Sequence, residues 1–439
     1  MTSFIQSSKL SSILNKLGYS EVEKEFTKLS KENDEIDIIP GFYSSHKAKK
    51  DNIASLLNSW STAQSIIKVN EKYPTKDDVK ALEDAYTKMN SSSSFPSLGK
   101  SISGRTLRYP QYLQLRESWK DELQPILSSR LFIQVGGNSM NVCSYDALLI
   151  HIKTISRCSE HYSFLLYLDP ARTGFILESD FKTYINHFAS EFSFIQSEYD
   201  EELRKKYYEF SAQQFLVILD PLSSGKIMIG NLLNQAFFMY FVMVDGWSED
   251  RTNPFSFDYF RNFVQDFKMM DLNNDGIIEP KDLIYMGKLR LTSAFACSAA
   301  DGIGFNNNII NFEWYVRFRT AWYFLGEPFA NIYFFDALDI DGNGIITQYE
   351  INYFVREVIK IAKELYPDNK SIPPYDYIAS QLFDMCQASD QKITRQFFVQ
   401  SRATANLVMR ICDAREFIRY ELDLECESLQ PPIPDVHSL

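Results

Sequence analysis

The stretch that decides the fold is Asp339-Ile-Asp341-Gly-Asn343-Gly344-Ile345-Ile346-Thr347-Gln-Tyr-Glu350. Oxygen-bearing side chains stand at its first, third and fifth positions, a glycine at the sixth and a glutamate at the twelfth. That spacing suits a hard divalent cation, which takes about six to eight oxygens in a flexible shell. Asp339, Asp341 and Asn343 converge from a tight turn that Gly344 permits by accepting a positive φ. Ile345 offers its carbonyl, Thr347 can hold a water, and Glu350 closes the cage with both carboxylate oxygens. Thr347 and Glu350 also read as a T-x-x-E capping box for an exit helix.

The flanks agree with the loop. Phe335 and Leu338 precede it, and Ile351, Phe354 and Val355 follow, which puts one apolar face on each flanking helix. Together these features make an EF-hand pattern, a helix–loop–helix calcium site. A second loop runs Asp271-Leu-Asn273-Asn-Asp275-Gly276-Ile277-Ile278-Glu279-Pro-Lys-Asp282, with Phe267 and Met270 before it and Leu283 and Met286 after. Its ligand positions are Asp271, Asn273, Asp275, the Ile277 carbonyl, Glu279 and Asp282, and Pro280 suits the first turn of the exit helix. Asp282 is one methylene shorter than the usual glutamate, so closure needs the loop to contract. That favours weaker Ca²⁺ binding or a six-oxygen Mg²⁺ geometry.

Four further stretches keep the shape without the ligands. Asp169 to Asp180 and Asp220 to Asn231 retain the first aspartate, the glycine (Gly174, Gly225) and the apolar eighth position, but put Ala171 and Leu222 at the third. Around Ile310 and Ile393 only the apolar bridge residue and a following helix survive. The bridge residues Ile176, Ile227, Ile278, Ile310, Ile346 and Ile393 therefore mark an irregular repeat, to which Val142 adds a still more eroded unit. Such units pair through a short two-strand bridge. The 68 residues between Asp271 and Asp339 imply that each good loop pairs with a degenerate partner and not with the other. The expected fold is all-α: tandem EF-hand units with short two-strand bridges behind an N-terminal helical region.

Composition narrows the function. The 439-residue chain carries a net charge of −12, so it lacks the basic balance of a general nucleic-acid binder. The start, Met1 to Lys9, lacks the apolar core of a signal peptide, and the most apolar run, Ala236 to Val244, is far too short to span a membrane. An intracellular, soluble protein is expected, with no membrane or nucleic-acid partner. The six cysteines form no CxxC pair and are expected as buried free thiols; Cys158 and His161 could begin a zinc site, but no second pair follows. No GxxxxGK[ST], GxSxG or HExxH motif is present, and none of the five histidines forms a metal-spaced pair, so no intrinsic catalysis and no catalytic residue are expected. Val135-Gly-Gly-Asn-Ser139 lacks a phosphate-loop lysine and reads as a turn.

Residues 1–37 form a helical hairpin, with Leu10, Ile13, Leu14 and Leu17 on one stripe and Val22, Phe26 and Leu29 on a second. Leu14-x3-Gly18-Tyr19-x2-Val22-x3-Phe26 resembles a LisH motif, which implies homodimerisation through the hairpin; a hairpin docked on its own domain is the plainer alternative. Residues 38–108 read as a helical and linker segment with a serine run at Ser91–Ser94, 109–250 as a degenerate lobe, 251–420 as the lobe with both metal loops, and 421–439 as a flexible tail.

Several segments share a wider likeness. Asp339-Ile-Asp-Gly-Asn-Gly with Tyr349-Glu350-Ile-Asn-Tyr353-Phe354, Asn253-Pro-Phe255-Ser, and Leu382-Phe383-Asp384-Met385 leading to Lys392-Ile-Thr394 resemble the B″ regulatory subunits of protein phosphatase 2A. Leu219 to Ile227 and Glu178 to Ile185 are similar to its gamma branch, and the likeness runs collinearly over roughly 110–420. One departure is Phe42-Tyr43 followed by Ser44-Ser45, where that branch has Phe-Tyr-Tyr-Arg. The resemblance implies a non-catalytic adaptor. It would dock on the HEAT-repeat scaffold subunit and hold the Ser/Thr catalytic subunit near substrates, with Ca²⁺ as cofactor. The setting would be the cytoplasm, with the centrosome, microtubules or nucleus as alternatives. A calcium-binding cytoskeletal adaptor without phosphatase is the competing reading, whereas two metal loops in so long a chain give a Ca²⁺ buffer poor capacity.

Overall fold

The computed structural model describes residues 47–92, 105–137, 141–198, 200–246, 253–284, 286, 289–302, 309–386, 388 and 390–423. The LisH-like hairpin, with any dimer contact it makes, and the tail from 424 onward lie outside these residues. The described chain is helical, with two-stranded sheets as its only strands, so the all-α expectation holds. No helix among the described residues is long and apolar enough to cross a membrane.

Two compact units divide the chain, Met1–Ile176 with Phe241–Gly246, and Leu177–Tyr240 with Trp247–Leu439. The first contains α1 (Lys47–Lys72), α2 (Lys76–Ser92), β1 (Thr106–Arg108), α3 (Tyr109–Glu117), β2 (Val142–Ser144) and α4 (Tyr145–Leu168). A reciprocal cap starts α2: the Asp78 N–H donates to Thr75 Oγ1 at 3.3 Å, and the Thr75 N–H and hydroxyl donate to Asp78 Oδ2 at 3.0 and 2.7 Å. Val79, Leu82 and Tyr86 of α2 then enter one core with Leu107, Tyr112, Leu115 and Trp119. Val79, Leu82 and Tyr86, within the segment expected as helical and linker, are thus core residues. β1 and β2 pair antiparallel with Leu107 opposite Cys143, so the eroded unit has its bridge residue at Cys143, one beyond Val142.

The strand β3 (Phe175–Leu177) leads into the second unit. There follow α5 (Glu178–Ala189), α6 (Glu201–Leu219), β4 (Lys226–Met228), α7 (Phe257–Met270), β5 (Ile277–Ile278) and α8 (Ser293–Gly302). Next come β6 (Ile310–Asn311), α9 (Phe312–Tyr323), α10 (Pro328–Leu338), β7 (Ile345–Thr347), α11 (Gln348–Leu365) and α12 (Tyr375–Met385). The last elements are β8 (Lys392–Thr394), α13 (Arg395–Gln400), α14 (Thr404–Cys412) and α15 (Ala414–Leu422). β5 pairs with β6, placing Ile278 opposite Ile310, and β7 pairs with β8, placing Ile346 opposite Ile393. Each complete loop is therefore married to a degenerate one, as the spacing required.

The aromatic excess fills the space between these pairs. Phe210 on α6 lies 5.1 and 5.0 Å from Phe260 and Phe263 of α7, and the Tyr207 hydroxyl donates to the Phe255 carbonyl at 2.7 Å. This packing ties residues 177–240 to the later loops and sets the division between units in β3, ahead of the 250/251 boundary expected from sequence. A buried arginine on α9 reinforces it, since Arg317 donates to Gln213 of α6 and to Ser223 in the 220–231 loop. Cys143, Cys386 and Cys412 are buried free thiols, but Cys158 is half-buried and Cys297 on α8 is exposed, against the expectation for all six, and Cys426 lies outside the described residues. For Cys297 the reason is local: Ala296, Ala299 and Ala300 take the buried face of that helix. His161 packs edge-on to Phe241 at 6.1 Å, an aromatic contact rather than a metal-site geometry.

Because Ile393 is fully buried on a strand that carries no ligand, Ile393→Ala should cost about 2–5 kcal/mol in urea denaturation. Lys392→Ala on the same strand, at an exposed position, should stay within about 0.5 kcal/mol. Equal effects would show that the bridge is not a packing element.

Candidate metal centre

The loop backbone is held by its own side chains. Asp339 Oδ2 accepts the Gly344 N–H at 2.8 Å and its Oδ1 accepts the Asn343 N–H at 3.1 Å. Asp341 Oδ1 accepts from the Asn343 N–H at 3.1 Å, its Oδ2 from the Asn343 side-chain amide at 2.8 Å, and Asn343 Oδ1 from the Ile345 N–H at 2.8 Å. Two backbone positions are left-handed, Gly342 at φ 66° and Gly344 at φ 81°.

Glu350 ties the end of the loop to its start. The side chain is 2% exposed, and its Oε1 accepts the Ile340 N–H at 2.8 Å. Its Oε2 accepts the Thr347 N–H and hydroxyl at 2.7 and 3.0 Å, which is the expected capping geometry at the start of α11. Asp339, Asp341 and Glu350 can bring one oxygen each within 4.8 Å of one another, and among the described residues they are the only trio of His, Cys, Asp or Glu side chains to do so. Each carboxylate oxygen has about two lone pairs, so the Asp339 and Asp341 oxygens and Glu350 Oε1, with one bond apiece, keep capacity to ligate a cation, whereas Glu350 Oε2 already accepts two. The donor set is all oxygen and partly anionic, which fits Ca²⁺.

The 271–282 loop shares the frame but not the cluster. Asp271 Oδ2 accepts the Gly276 N–H at 2.9 Å and its Oδ1 the Asp275 N–H at 3.2 Å; Asn273 Oδ1 accepts from the same N–H at 3.2 Å. Asp275 Oδ1 accepts the Ile277 N–H at 2.8 Å. Asp282, however, does not join Asp271 and Asp275 in a trio, and Glu279 is paired with Lys281 at 2.5 Å. Lys205, Lys206 and Lys268 line a cavity of about 710 Å³ beside this loop with Glu202, Glu209, Asp271, Asp275 and Glu313, so the lining stays net acidic.

The degenerate loops show what the frame does alone. Asp169 accepts from Thr173 and Gly174 N–H groups at 2.9 and 2.7 Å, and Asp220 from those of Ser224 and Gly225 at 2.8 and 2.7 Å. The hydroxyls of Thr173 and Ser224 add bonds of 3.0 and 2.8 Å to the same carboxylates, so each lone aspartate is satisfied internally. Arg172, Ser223 and Asn274 take the left-handed fourth position, and Asn141 and Gln391 take the sixth in units that have no glycine there.

One residue of the centre escaped sequence reading. Arg395, first residue of the helix after β8, pairs with Asp336 through both nitrogens, at 2.9 and 3.1 Å, and lies 5.5 Å from the centroid of Phe335. Its N–H donates to the Gly344 carbonyl at 3.3 Å. The degenerate partner thus grips both the entering helix and the sixth position of the metal loop. Burial pushes the Asp336 carboxyl upward, Arg395 pulls it down, and Asp339 nearby adds to the rise. No local pattern marks this contact, because it joins positions 59 residues apart.

An added Cβ at Gly344 would meet nothing within 4 Å, so Gly344→Ala isolates the conformational cost and should lose about 1 kcal/mol in denaturant midpoint analysis. Gln391→Gly, at φ 53°, should lose nothing and gain up to ~1 kcal/mol. The opposite order of stabilities would contradict the shared left-handed sixth position.

Comparison with known proteins agrees with this architecture. No protein-family model matches the chain. It is similar to the B″ gamma regulatory subunit of Homo sapiens protein phosphatase 2A, 25% identical over 268 residues that cover 58% of this chain and 56% of that one. A plant B″epsilon of Arabidopsis thaliana, described as probable, is 22% identical over 320 residues, 68% of this chain and 58% of the relative. The regulatory subunit rsa-1 of Caenorhabditis elegans is 22% identical over 175 residues, 40% and 43% of the two chains. The chain thus spans little more than half the length of the B″ gamma proteins it matches. A solved chain described as from a PP2A PR70 holoenzyme in a diCa form superimposes with TM-score 0.51 at 19% identity, over 59% of this chain and 98% of that one, and supports the fold. By sequence the chain is thus similar to the B″ regulatory subunits of protein phosphatase 2A.

Proposed function

We propose that this protein is a calcium-binding regulatory subunit of a protein phosphatase 2A holoenzyme. It docks on the HEAT-repeat scaffold and holds the Ser/Thr catalytic subunit near chosen substrates, and it has no catalysis of its own. The observation that carries the calcium part is the trio of Asp339, Asp341 and Glu350, gathered on one loop with an oxygen each within 4.8 Å of the others. The relatives, all named as regulatory subunits, carry the phosphatase part.

On this reading the EF-hand loop 339–350 holds Ca²⁺ through Asp339, Asp341, Asn343, the Ile345 carbonyl and Glu350, with Thr347 positioning a water. The 271–282 loop is the weaker site, or an Mg²⁺ site, since Asp282 stands off from the other acids. An ion at Glu350 acts on two elements together. Glu350 is both the closing ligand and the third residue of α11, so occupancy fixes the first turn of that helix. Through Arg395 the same event reaches the helix after β8. A difference in partner affinity between these two states is all that a calcium switch requires.

The test is affinity purification of the full chain in Ca²⁺ and in chelator. Stoichiometric scaffold and catalytic subunits are expected, with recovery at least about threefold higher in Ca²⁺ (a bias of ~0.7 kcal/mol) for the wild type and equal in both conditions for Glu350→Gln. Recovery of cytoskeletal proteins without phosphatase subunits would overturn the phosphatase reading. Equal phosphatase recovery by both proteins under both conditions would leave the ion a purely structural part.

A further inference from the structure

The outer face of α11 carries charge that no other described segment pairs. Tyr349, Tyr353, Arg356, Lys360 and Lys363 follow one another at helical spacing, and all are exposed. The aromatic half is the more exposed at its start, where Tyr349 is 78% accessible. The stripe spans roughly 21 Å at the rise of an α-helix. Arg356 is held over the ring of Tyr375, 5.0 Å from its centroid, so its guanidinium is steadied without being neutralised. Arg356, Lys360 and Lys363 border a depression of about 400 Å³ with Ile359, Glu364 and Tyr375.

Several other cations of this unit have close carboxylate partners, although Lys226, Lys268 and Lys392 have no ion pair among the described residues. Lys182 lies 3.0 Å from Glu209, Arg395 lies 2.9 Å from Asp336, and Arg319 and Arg410 pair with Asp266 and Glu421. On α11, Lys360 has only an exposed 3.9 Å contact with Glu364, and Lys363 has no ion pair among the described residues. The acid that could serve Lys360 one turn away, Glu357, is committed elsewhere. Its two oxygens accept the N–H groups of Ser293 and Ala294 at 2.8 and 2.7 Å, capping α8. The fold thus draws the central acid off this face and leaves a net positive stripe on a chain whose net charge is −12.

We propose that this face of α11 is a docking surface for an acidic peptide segment of a partner protein. Carboxylates would lie along Arg356, Lys360 and Lys363, and an apolar side chain would rest on Tyr353 or Tyr375. An extended segment of about six residues matches the stripe in length. Charge complementarity selects the occupant, because a cationic or neutral segment gains nothing from this stripe while an acidic one finds three donors. None of the three cations belongs to the ligand set of the metal loop.

The experiment is fluorescence anisotropy of the full chain with a labelled Glu-rich peptide of about eight residues bearing a central Phe, against the same peptide with Gln for Glu. The wild type should bind the Glu peptide at least about tenfold more tightly than the Gln peptide, and the gap should shrink at high salt. The combined Arg356→Glu, Lys360→Glu, Lys363→Glu variant should lose that preference and gain binding of a Lys-rich peptide. Single Lys363→Gln, too mild to disturb the helix, should show a loss of about threefold. Equal binding of Glu and Gln peptides by the wild type would overturn the proposal. So would wild-type affinity for the Glu peptide in the charge-reversed variant, or an unchanged affinity in Lys363→Gln.

Discussion

The rest of the structure depends on one charge-assisted hydrogen bond, from the N–H of the sixth loop residue to the carboxylate of the first. It recurs at Asp169 and Gly174, Asp220 and Gly225, Asp271 and Gly276, and Asp339 and Gly344, always between 2.7 and 2.9 Å. A bond to an ionised acceptor contributes about 1.5–3 kcal/mol, and here it also holds the chain in a left-handed turn that only glycine takes without strain. Once that turn is set, the eighth residue points inward and the following strand can pair. The bridge then brings two helix–loop–helix units together and aromatic side chains close the space between them. The same frame recurs in loops that lack the third-position oxygen, so it does not require a complete ligand set.

What distinguishes 339–350 from its siblings is small in sequence and large in chemistry. Ala171 and Leu222 remove the third-position oxygen from two loops, and the shorter Asp282 leaves the twelfth position of another open. Only Glu350 is long enough to reach back to the Ile340 N–H while capping its own helix. That double engagement ties the metal site to α11. Through Arg395 the degenerate partner is tied to the same loop, so the two members of the pair have divided the work between ligation and support.

Much of this was legible before the structure. Six isoleucines gave the bridge positions, and the gap between the two good loops was long enough to require degenerate partners; Ile278 with Ile310 and Ile346 with Ile393 bear that out. Both candidate loops stood out because the residue types expected of ligands recur at fixed spacing. The Leu107 strand was not, since neither acid nor glycine marks it, and Cys143 took the place expected for Val142. Asn141 and Gln391 hold the glycine conformation with side chains that gave no local warning, although Asn is among the residues that tolerate it best. Arg395 with Asp336, Arg317 with Gln213 and the capping of α8 by Glu357 were unreadable because each joins distant segments. The unpaired charge on α11 follows from the last of these and from no motif.

The most direct measurement is a calorimetric Ca²⁺ titration of the full chain with Asp341→Asn and Asp282→Asn. Asp341 is exposed and bonds only within its loop, so its loss should leave the fold intact. The tight binding step should vanish or weaken at least about tenfold in Asp341→Asn and persist in Asp282→Asn. A tight step unchanged in Asp341→Asn, or lost in Asp282→Asn, would contradict the assignment of the 339–350 loop as the principal metal centre.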